Sequence, residues 1–229
     1  MKVLAIGAHP DDIEIFMYGI LSVYKKQGKE IFLIVATDGS LGGSEESKIL
    51  IDKRKEESLR GLSKIGKPVF LGFRDGSLRN ISKAYDILKS HISNIKPDLI
   101  ITHAPEDYHQ DHRALSKFVS DAANFICPVI YSDTLMGVNF LPNFYVDISE
   151  YFKFKVNAIM CHQTQNPKKF VEGVEILNRF RAAQCNAPSN FYAEAFRYDM
   201  RFPFADIRIL LPNPPPYKPY YKEGSSGLM

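Results

Sequence analysis

Four short runs rich in valine, isoleucine and leucine set the tightest limit on what this chain can fold into: Lys2 to Gly7, Glu30 to Thr37, Pro68 to Gly72 and Asp98 to Thr102. Each has the length of a strand and is apolar along most of it, so each reads as a parallel strand buried on both faces. The intervening stretches carry helical patterning. Ile13 to Gln27 ends at Gly28, Ser44 to Ile65 ends at Gly66, and Ser82 to Ile95 stops ahead of Lys96 and Pro97, as helices do. Strand and helix in strict alternation imply right-handed crossovers that cover both faces of one sheet. The expected fold class is therefore α/β, a Rossmann-like three-layer αβα arrangement with a mostly parallel sheet.

Further on, a helix is expected near Arg113 to Phe125, strands near Val129 to Asp133 and Phe144 to Val146, and helices near Glu150 to Cys161 and Pro167 to Ala183. From Pro212 the chain turns rich in proline and tyrosine and reaches Gly224-Ser225-Ser226-Gly227 near its end, the composition of an extended or disordered arm. The expected organisation is one domain over residues 1–211 followed by a tail over 212–229, with Tyr217, Tyr220 and Tyr221 placed to cover a neighbouring subunit or the mouth of a site. At 229 residues, 45% hydrophobic and 24% charged, the chain is long enough to bury a full core.

Composition also narrows the partners. A net charge of +3 arises from scattered rather than clustered basic residues, which excludes a phosphate-backbone footprint and makes nucleic acid an unexpected partner. No run reaches the roughly 20 apolar residues of a membrane span, and the apolar start is too short for a signal peptide, so a cytoplasmic location is expected. Cys127, Cys161 and Cys185 have neither metal-site nor disulfide spacing and are expected to be reduced, buried and inert. The glycines at 39, 42 and 43 are followed by no G-K-[ST], and Gly7-Ala8-His9-Pro10 lacks a dinucleotide fingerprint, so a nucleotide cofactor is not expected.

Chemistry concentrates at two strand ends. The first strand runs into His9-Pro10-Asp11-Asp12, and the fourth into His103 through His112, so four of the six histidines fall in these two loops. In an open α/β sheet, ligands sit at the carboxyl ends of strands. One imidazole and two carboxylates within four residues supply two metal ligands and a spare base, although helix N-capping also accounts for aspartates at this place. A divalent metal that activates water beside a carboxylate base suits attack on an amide carbonyl. Two adjacent carboxylates do not flank a glycosidic bond from both sides, which argues against glycoside hydrolysis.

The motifs A-H-P-D-D-I-E at 8–14, T-D-G-S-L-G-G at 37–43, R-K-E-E at 54–57, G-F-R-D-G-S-L at 72–78 and H-Q-D-H at 109–112 stand in order across residues 1–125. In them the chain resembles the LmbE-like or PIG-L-type de-N-acetylases, which include enzymes that deacetylate N-acetylglucosaminyl-phosphatidylinositol and the glucosaminyl precursors of mycothiol and bacillithiol. The resemblance weakens through Val146-Asp147-Ile148-Ser149 and His162-Gln163-Thr164-Gln165.

The resemblance implies a zinc site, open to other divalent metals, held by His9, Asp12 and His112. It implies Asp11 as general base, with His109, modulated by Asp111, as oxyanion stabiliser or acid. Arg54 and Asp75 match positions that contact sugar hydroxyls or nearby polar groups, although an exposed helix charge and a turn aspartate account for them equally well. Gln110 stands where the family usually has proline, a change expected to alter loop stiffness rather than ligation.

His103 and Tyr108 are expected to support the site from behind, and Asp38 either to orient a site residue or to start a turn. His91 and His162 are expected to be structural. The implied activity is removal of an acetyl group from an N-acetylated sugar or sugar conjugate, a small molecule. The alternatives are hydrolysis of another amide by the same machinery, as in a thiol-conjugate amidase or other deacylase, or a carbohydrate-binding protein without turnover. The oligomeric state is left open, a homo-oligomer included.

Overall fold

The computed structural model describes residues 1–216, and the expectations for Tyr217, Tyr220 and Tyr221 lie outside the described residues. Seven strands form one sheet in the order β3-β2-β1-β4-β5-β7-β6: β1 (Lys2–Gly7), β2 (Glu30–Thr37), β3 (Val69–Phe73), β4 (Leu99–Thr102), β5 (Val129–Ser132), β6 (Phe144–Asp147) and β7 (Ala193–Tyr198). β1 to β5 pair in parallel, whereas β7 runs antiparallel between β5 and β6. The sheet is thus α/β and mostly parallel, as expected, with an antiparallel edge.

Side-chain alternation builds the two cores. Val3, Ala5, Leu33, Val35, Leu99 and Ile101 face one side of the sheet, and Leu4, Ile6, Ile34, Ala36 and Ile100 face the other. The first core takes in residues of α1 (Asp12–Phe16), α2 (Tyr18–Lys26), α6 (Phe152–Ile159) and α7 (Pro167–Gln184), with the end of α3 (Ser47–Gly61) nearby through Leu62 and Ile65. The second is closed by α4 (Ala84–Ile95) and α5 (Gln110–Ala122) through Leu88, Ile92, Leu115 and Val119. Burial on both faces explains why the central strands lack polar alternation.

Three local expectations change. The single helix expected from Ile13 to Gln27 is two, broken at Met17 (φ −133°, ψ −5°). The break gives α2 its own N-terminus, where the Glu194 carboxylate accepts from the backbone of Gly19 and Ile20, both at 2.8 Å. β7 had no sequence signal because this same Glu194 and Arg197 interrupt its apolar run. Among the cysteines, all three are free, but only Cys127 is buried; Cys161 and Cys185 are partly exposed. From Pro212 to Pro216 the chain continues along the sheet edge, the carbonyl of Asn213 accepting from Asp147 N at 3.1 Å.

β1 pairs with β2 on one side and β4 on the other, so the chain order reverses about β1. The loops that follow β1 and β4 therefore emerge side by side, at the crevice where such sheets place ligands.

Candidate metal centre and active site

His9 leaves the end of β1 and Asp12 opens α1, with the turn closed by the His9 backbone N–H donating to Asp12 Oδ2 at 2.6 Å. His112 lies in the first turn of α5. Ligand atoms of three residues converge: His9 Nδ1 is 3.2 Å from His112 Nε2 and 3.3 Å from Asp12 Oδ2, and His112 Nε2 is 3.3 Å from the other Asp12 oxygen, Oδ1. A tetrahedral ion with bonds of about 2.0–2.1 Å needs its donors about 3.3 Å apart, so this spacing fits one.

The opposite sides of the two rings explain why a cation is wanted there. His9 Nε2 stands 3.1 Å from Asp75 Oδ1 and 3.5 Å from Asp111 Oδ2. His112 Nδ1 stands 3.1 Å from Asp107 Oδ2, although the two are not aligned as a hydrogen bond. Carboxylates on the outer nitrogens place the ring protons there, which leaves the inner nitrogens as lone pairs facing one another across Asp12.

Without a metal, protons must fill that need. Burial opposes charging His9, but the carboxylates of Asp111, Asp12 and Asp75 raise it well above the usual histidine value. Burial likewise opposes charging His112, and Asp12 and Asp107 outweigh it, raising it to about 9. Burial would push Asp12 up, yet the His112 and His103 imidazoles hold it well below the usual carboxylate range. The same neighbourhood offers three further donor groupings: His9 with His109 and His112, Asp12 with His103 and His112, and His9 with Asp75 and Asp111.

Asp11 does not cap α1 through its side chain, and its backbone adopts φ 156°, ψ −23°, a conformation that costs energy for a residue with a side chain. Its carboxylate instead accepts from Arg54 Nη2 at 3.1 Å. Burial raises the Asp11 carboxyl, and the Arg54 guanidinium works against that rise. Arg54, on α3, is 3% exposed and also donates to the carbonyls of Pro10 and Gly39. The glycine loop after β2 leaves it room: a Cβ on Gly42 would lie 2.1 Å from Arg54 Nη1, and one on Gly39 2.8 Å.

His109 caps α5, its Nδ1 accepting from the backbone N–H of Asp111 at 3.3 Å. A neutral His109 then carries its proton on Nε2, and burial with the neighbouring His9 and His112 lowers its pKa toward that neutral form. The link from Asp111 to His109 runs through backbone. The Asp111 carboxylate turns to the backbone N–H groups of Gly76 (2.7 Å) and Leu78 (3.1 Å) and to His9. Gln110 Nε2 donates to the Gly76 carbonyl at 2.9 Å, tying the start of α5 to the same turn.

Asp38 both starts a turn and orients a site residue, since its Oδ1 accepts from Ser40 N and from Asp75 N. Asp107 carries no motif signal, although it stands two residues before His109; its Oδ1 accepts from His109 N at 2.8 Å, the local turn to which aspartate is suited. Glu14, in the first helix motif, is fully buried and pairs with His162 Nε2 at 2.9 Å, the structural role expected of that histidine. His91 lies on α4, away from these loops.

A cavity of about 300 Å³ opens over these groups. It is lined by His9, Asp11, Asp12, His109 and His112, by the polar Arg54, Asp75 and Gln165, and by the apolar Ile15, Phe16, Leu135 and Phe170. Tyr108, 68% exposed, stands at its rim. The size is that of a small-molecule site. Among the described residues, no helix is long and apolar enough to cross a membrane.

The family PIG-L, described as GlcNAc-PI de-N-acetylase, matches residues 4–123. An uncharacterised deacetylase of Escherichia coli is 31% identical over 172 residues, covering 71% of this chain and 90% of its own. The diacetylchitobiose deacetylase of Thermococcus kodakarensis is 27% identical over 220 residues, covering 86% of this chain and 82% of its own. Among solved structures, 4-carboxy-2-hydroxymuconate hydratase from Pseudomonas putida superposes with a TM-score of 0.79 at 18% identity, covering 90% of this chain and 99% of that one. That likeness is one of fold alone, and a fold does not name a reaction.

Proposed function

The chain belongs to the PIG-L/LmbE-like deacetylase family, with a His/Asp cluster suited to a divalent metal, and from that premise we propose that it uses zinc to remove the acetyl group from an N-acetylglucosamine-type sugar or conjugate. The observation that carries this reading is the meeting of His9 Nδ1, Asp12 and His112 Nε2 at 3.2–3.3 Å in a cavity that Asp11 also lines. Two imidazoles and one carboxylate, with no thiolate, form a borderline-to-hard donor set that suits zinc and tolerates other divalent ions. When bound, such an ion lowers the pKa of water and polarises a carbonyl.

The chain's own residues do the rest. Asp11, lining the cavity beside Asp12, takes the proton from the attacking water, and Arg54 keeps its carboxylate available for that task. His109 offers its Nε2–H to the oxygen on which charge develops, and the proton that Asp11 takes from the water passes on to the departing amine. Asp75 lines the cavity with one carboxylate oxygen on His9, so it orients that ring and presents its polar edge to a sugar hydroxyl. The apolar lining residues suit the ring face or aglycone of an amino sugar. The name of the Thermococcus relative, which acts on diacetylchitobiose, supports this substrate class.

The test measures acetate and free amine from a panel of N-acetylated sugars, with metal content determined on the same samples. Asp11→Asn is expected to retain metal while turnover falls by roughly 10²–10⁴, and Asp12→Ala to lose metal and turnover together. Release of amine only from non-sugar amides would replace the substrate. Full metal occupancy with no hydrolysis of any amide would leave a binding protein.

A further inference from the structure

We propose that His103 is a positioning residue that commits Asp12 to one-oxygen binding of the metal by occupying its other oxygen. The inference rests on the reading of Asp12 as a ligand. His103 follows β4 directly and is 1% exposed. Its ring lies flat against His112, with centroids 3.7 Å apart and planes 12° apart, and its Nε2 reaches Asp12 Oδ2 at 3.1 Å. The His9 backbone N–H donates to that same oxygen at 2.6 Å. A carboxylate oxygen has two in-plane lone pairs, and both on Oδ2 are thereby engaged. Oδ2 also lies 3.3 Å from His9 Nδ1, but with its lone pairs already engaged, Oδ1, 3.3 Å from His112 Nε2, is the oxygen left to bind a metal.

The proton on His103 follows from its surroundings. Nε2 is also 3.1 Å from the backbone N of Ala8, and one ring nitrogen cannot accept from Ala8 and donate to Asp12 at once. Donation to an ionised carboxylate is about twice as strong as a hydrogen bond between neutral groups, so it prevails. Nδ1 is buried with no hydrogen-bond partner, the place left for the lone pair. Held this way, Asp12 cannot swing to offer both oxygens, and coordination positions stay open for water and substrate.

The experiment compares wild type, Asp12→Ala and three His103 variants. Gln can still donate to Asp12 Oδ2, whereas Leu and Met fill the space without a donor. Zinc affinity of metal-stripped protein is measured by chelator competition, and the visible spectrum of the cobalt-loaded protein reports coordination number. His103→Leu and His103→Met should bind zinc 10–100-fold more weakly and give a weaker, higher-coordinate cobalt spectrum, while His103→Gln stays within a few-fold of wild type with its spectrum kept.

Wild-type affinity and spectrum in Leu or Met would overturn the role, and so would Gln failing as badly as Leu, since packing alone would then explain the residue. Should Leu not fold, the Met and Gln pair decides. Failure of wild type to bind zinc, or full binding by Asp12→Ala, defeats the ligand reading itself. Zinc binding that depends on Asp12 but not on His103 defeats only this inference.

Discussion

Arg54 Nη2 meets Asp11 Oδ2 at 3.1 Å in a space that only glycine at 39 and 42 leaves open. The pairing gives Arg54 a duty besides any contact with substrate. Burial raises the Asp11 carboxyl, and Arg54 holds it back. A base works only when deprotonated, so removing Arg54 moves the acid limb of the pH profile of kcat/KM toward higher pH. Arg54→Gln should show that shift, Arg54→Lys a smaller one because it keeps charge but not the planar fork, and Gly42→Ala one in the same direction, because its Cβ overlaps Nη1 and displaces the guanidinium. An unchanged acid limb with a raised KM in Arg54→Gln would make Arg54 a substrate contact only.

Metal and fold should be linked. The converging His9, Asp12 and His112 atoms repel unless a proton or a cation lies among them, so the metal-stripped protein should unfold at lower temperature than the loaded one. At a free zinc concentration 100 times Kd the stabilisation is about 2.7 kcal/mol. Because the imidazoles must give up protons to bind, zinc affinity should rise with pH until His112, held at about 9 in the metal-free protein, has titrated. Thermal scans of stripped and loaded protein, with affinities at several pH values, check both. A pH-independent affinity between 6 and 9, values chosen about the ordinary and raised histidine pKa, would show that the rings enter neutral.

The parallel core and the two site loops were legible because each follows from a local rule. Leu4, Ile6 and their neighbours are apolar at consecutive positions since both faces of β1 are covered, and His9, Asp12, His109 and His112 sit where strands end. What escaped depends on partners distant in sequence. Glu194 made β7 look unlike a strand, yet it is there to bind the free N–H groups of α2, 174 and 175 residues away. The break at Met17 belongs to the same contact. Asp107 carries no motif signal and Asp75 reads as a sugar contact or a turn residue, and only the fold brings them to the outer nitrogens of His112 and His9.

Glu194 is therefore a strong stability test. It is 2% exposed and also receives Lys155 Nζ at 2.7 Å, itself buried. Glu194→Ala would leave two helix N–H groups unpaired and a buried ammonium with only the neutral Asn178 Oδ1 as acceptor, and breaking one side of such a buried pair costs about 3–5 kcal/mol. Urea unfolding of the zinc-saturated protein should show that loss, with Glu194→Gln less affected because it still accepts a hydrogen bond. A loss under about 1 kcal/mol would mean that water reaches Lys155.

His162 and Glu14 give a pH-dependent contribution that can be read apart from catalysis. His162 is buried, its Nε2 is 2.9 Å from Glu14 Oε1, and that oxygen also accepts from Ser58 Oγ at 3.2 Å. Burial lowers the His162 pKa, but Glu14, with smaller help from Asp11 and Glu57, more than reverses the effect and leaves it raised. A histidine whose folded pKa exceeds its unfolded value stabilises the fold fully below the unfolded value of about 6.5, and that stabilisation fades as pH rises through the folded value. His162→Gln keeps a hydrogen bond to Glu14 without the charge. The stability difference between wild type and His162→Gln should therefore be larger at pH 6 than at pH 9, values that bracket the ordinary histidine pKa, when both proteins are unfolded in urea at saturating zinc. Glu14→Gln should remove most of this dependence, because only the weaker influence of Asp11 and Glu57 then favours the imidazolium. A difference that stays constant across the range would mean that His162 remains neutral in the fold and contributes a hydrogen bond alone.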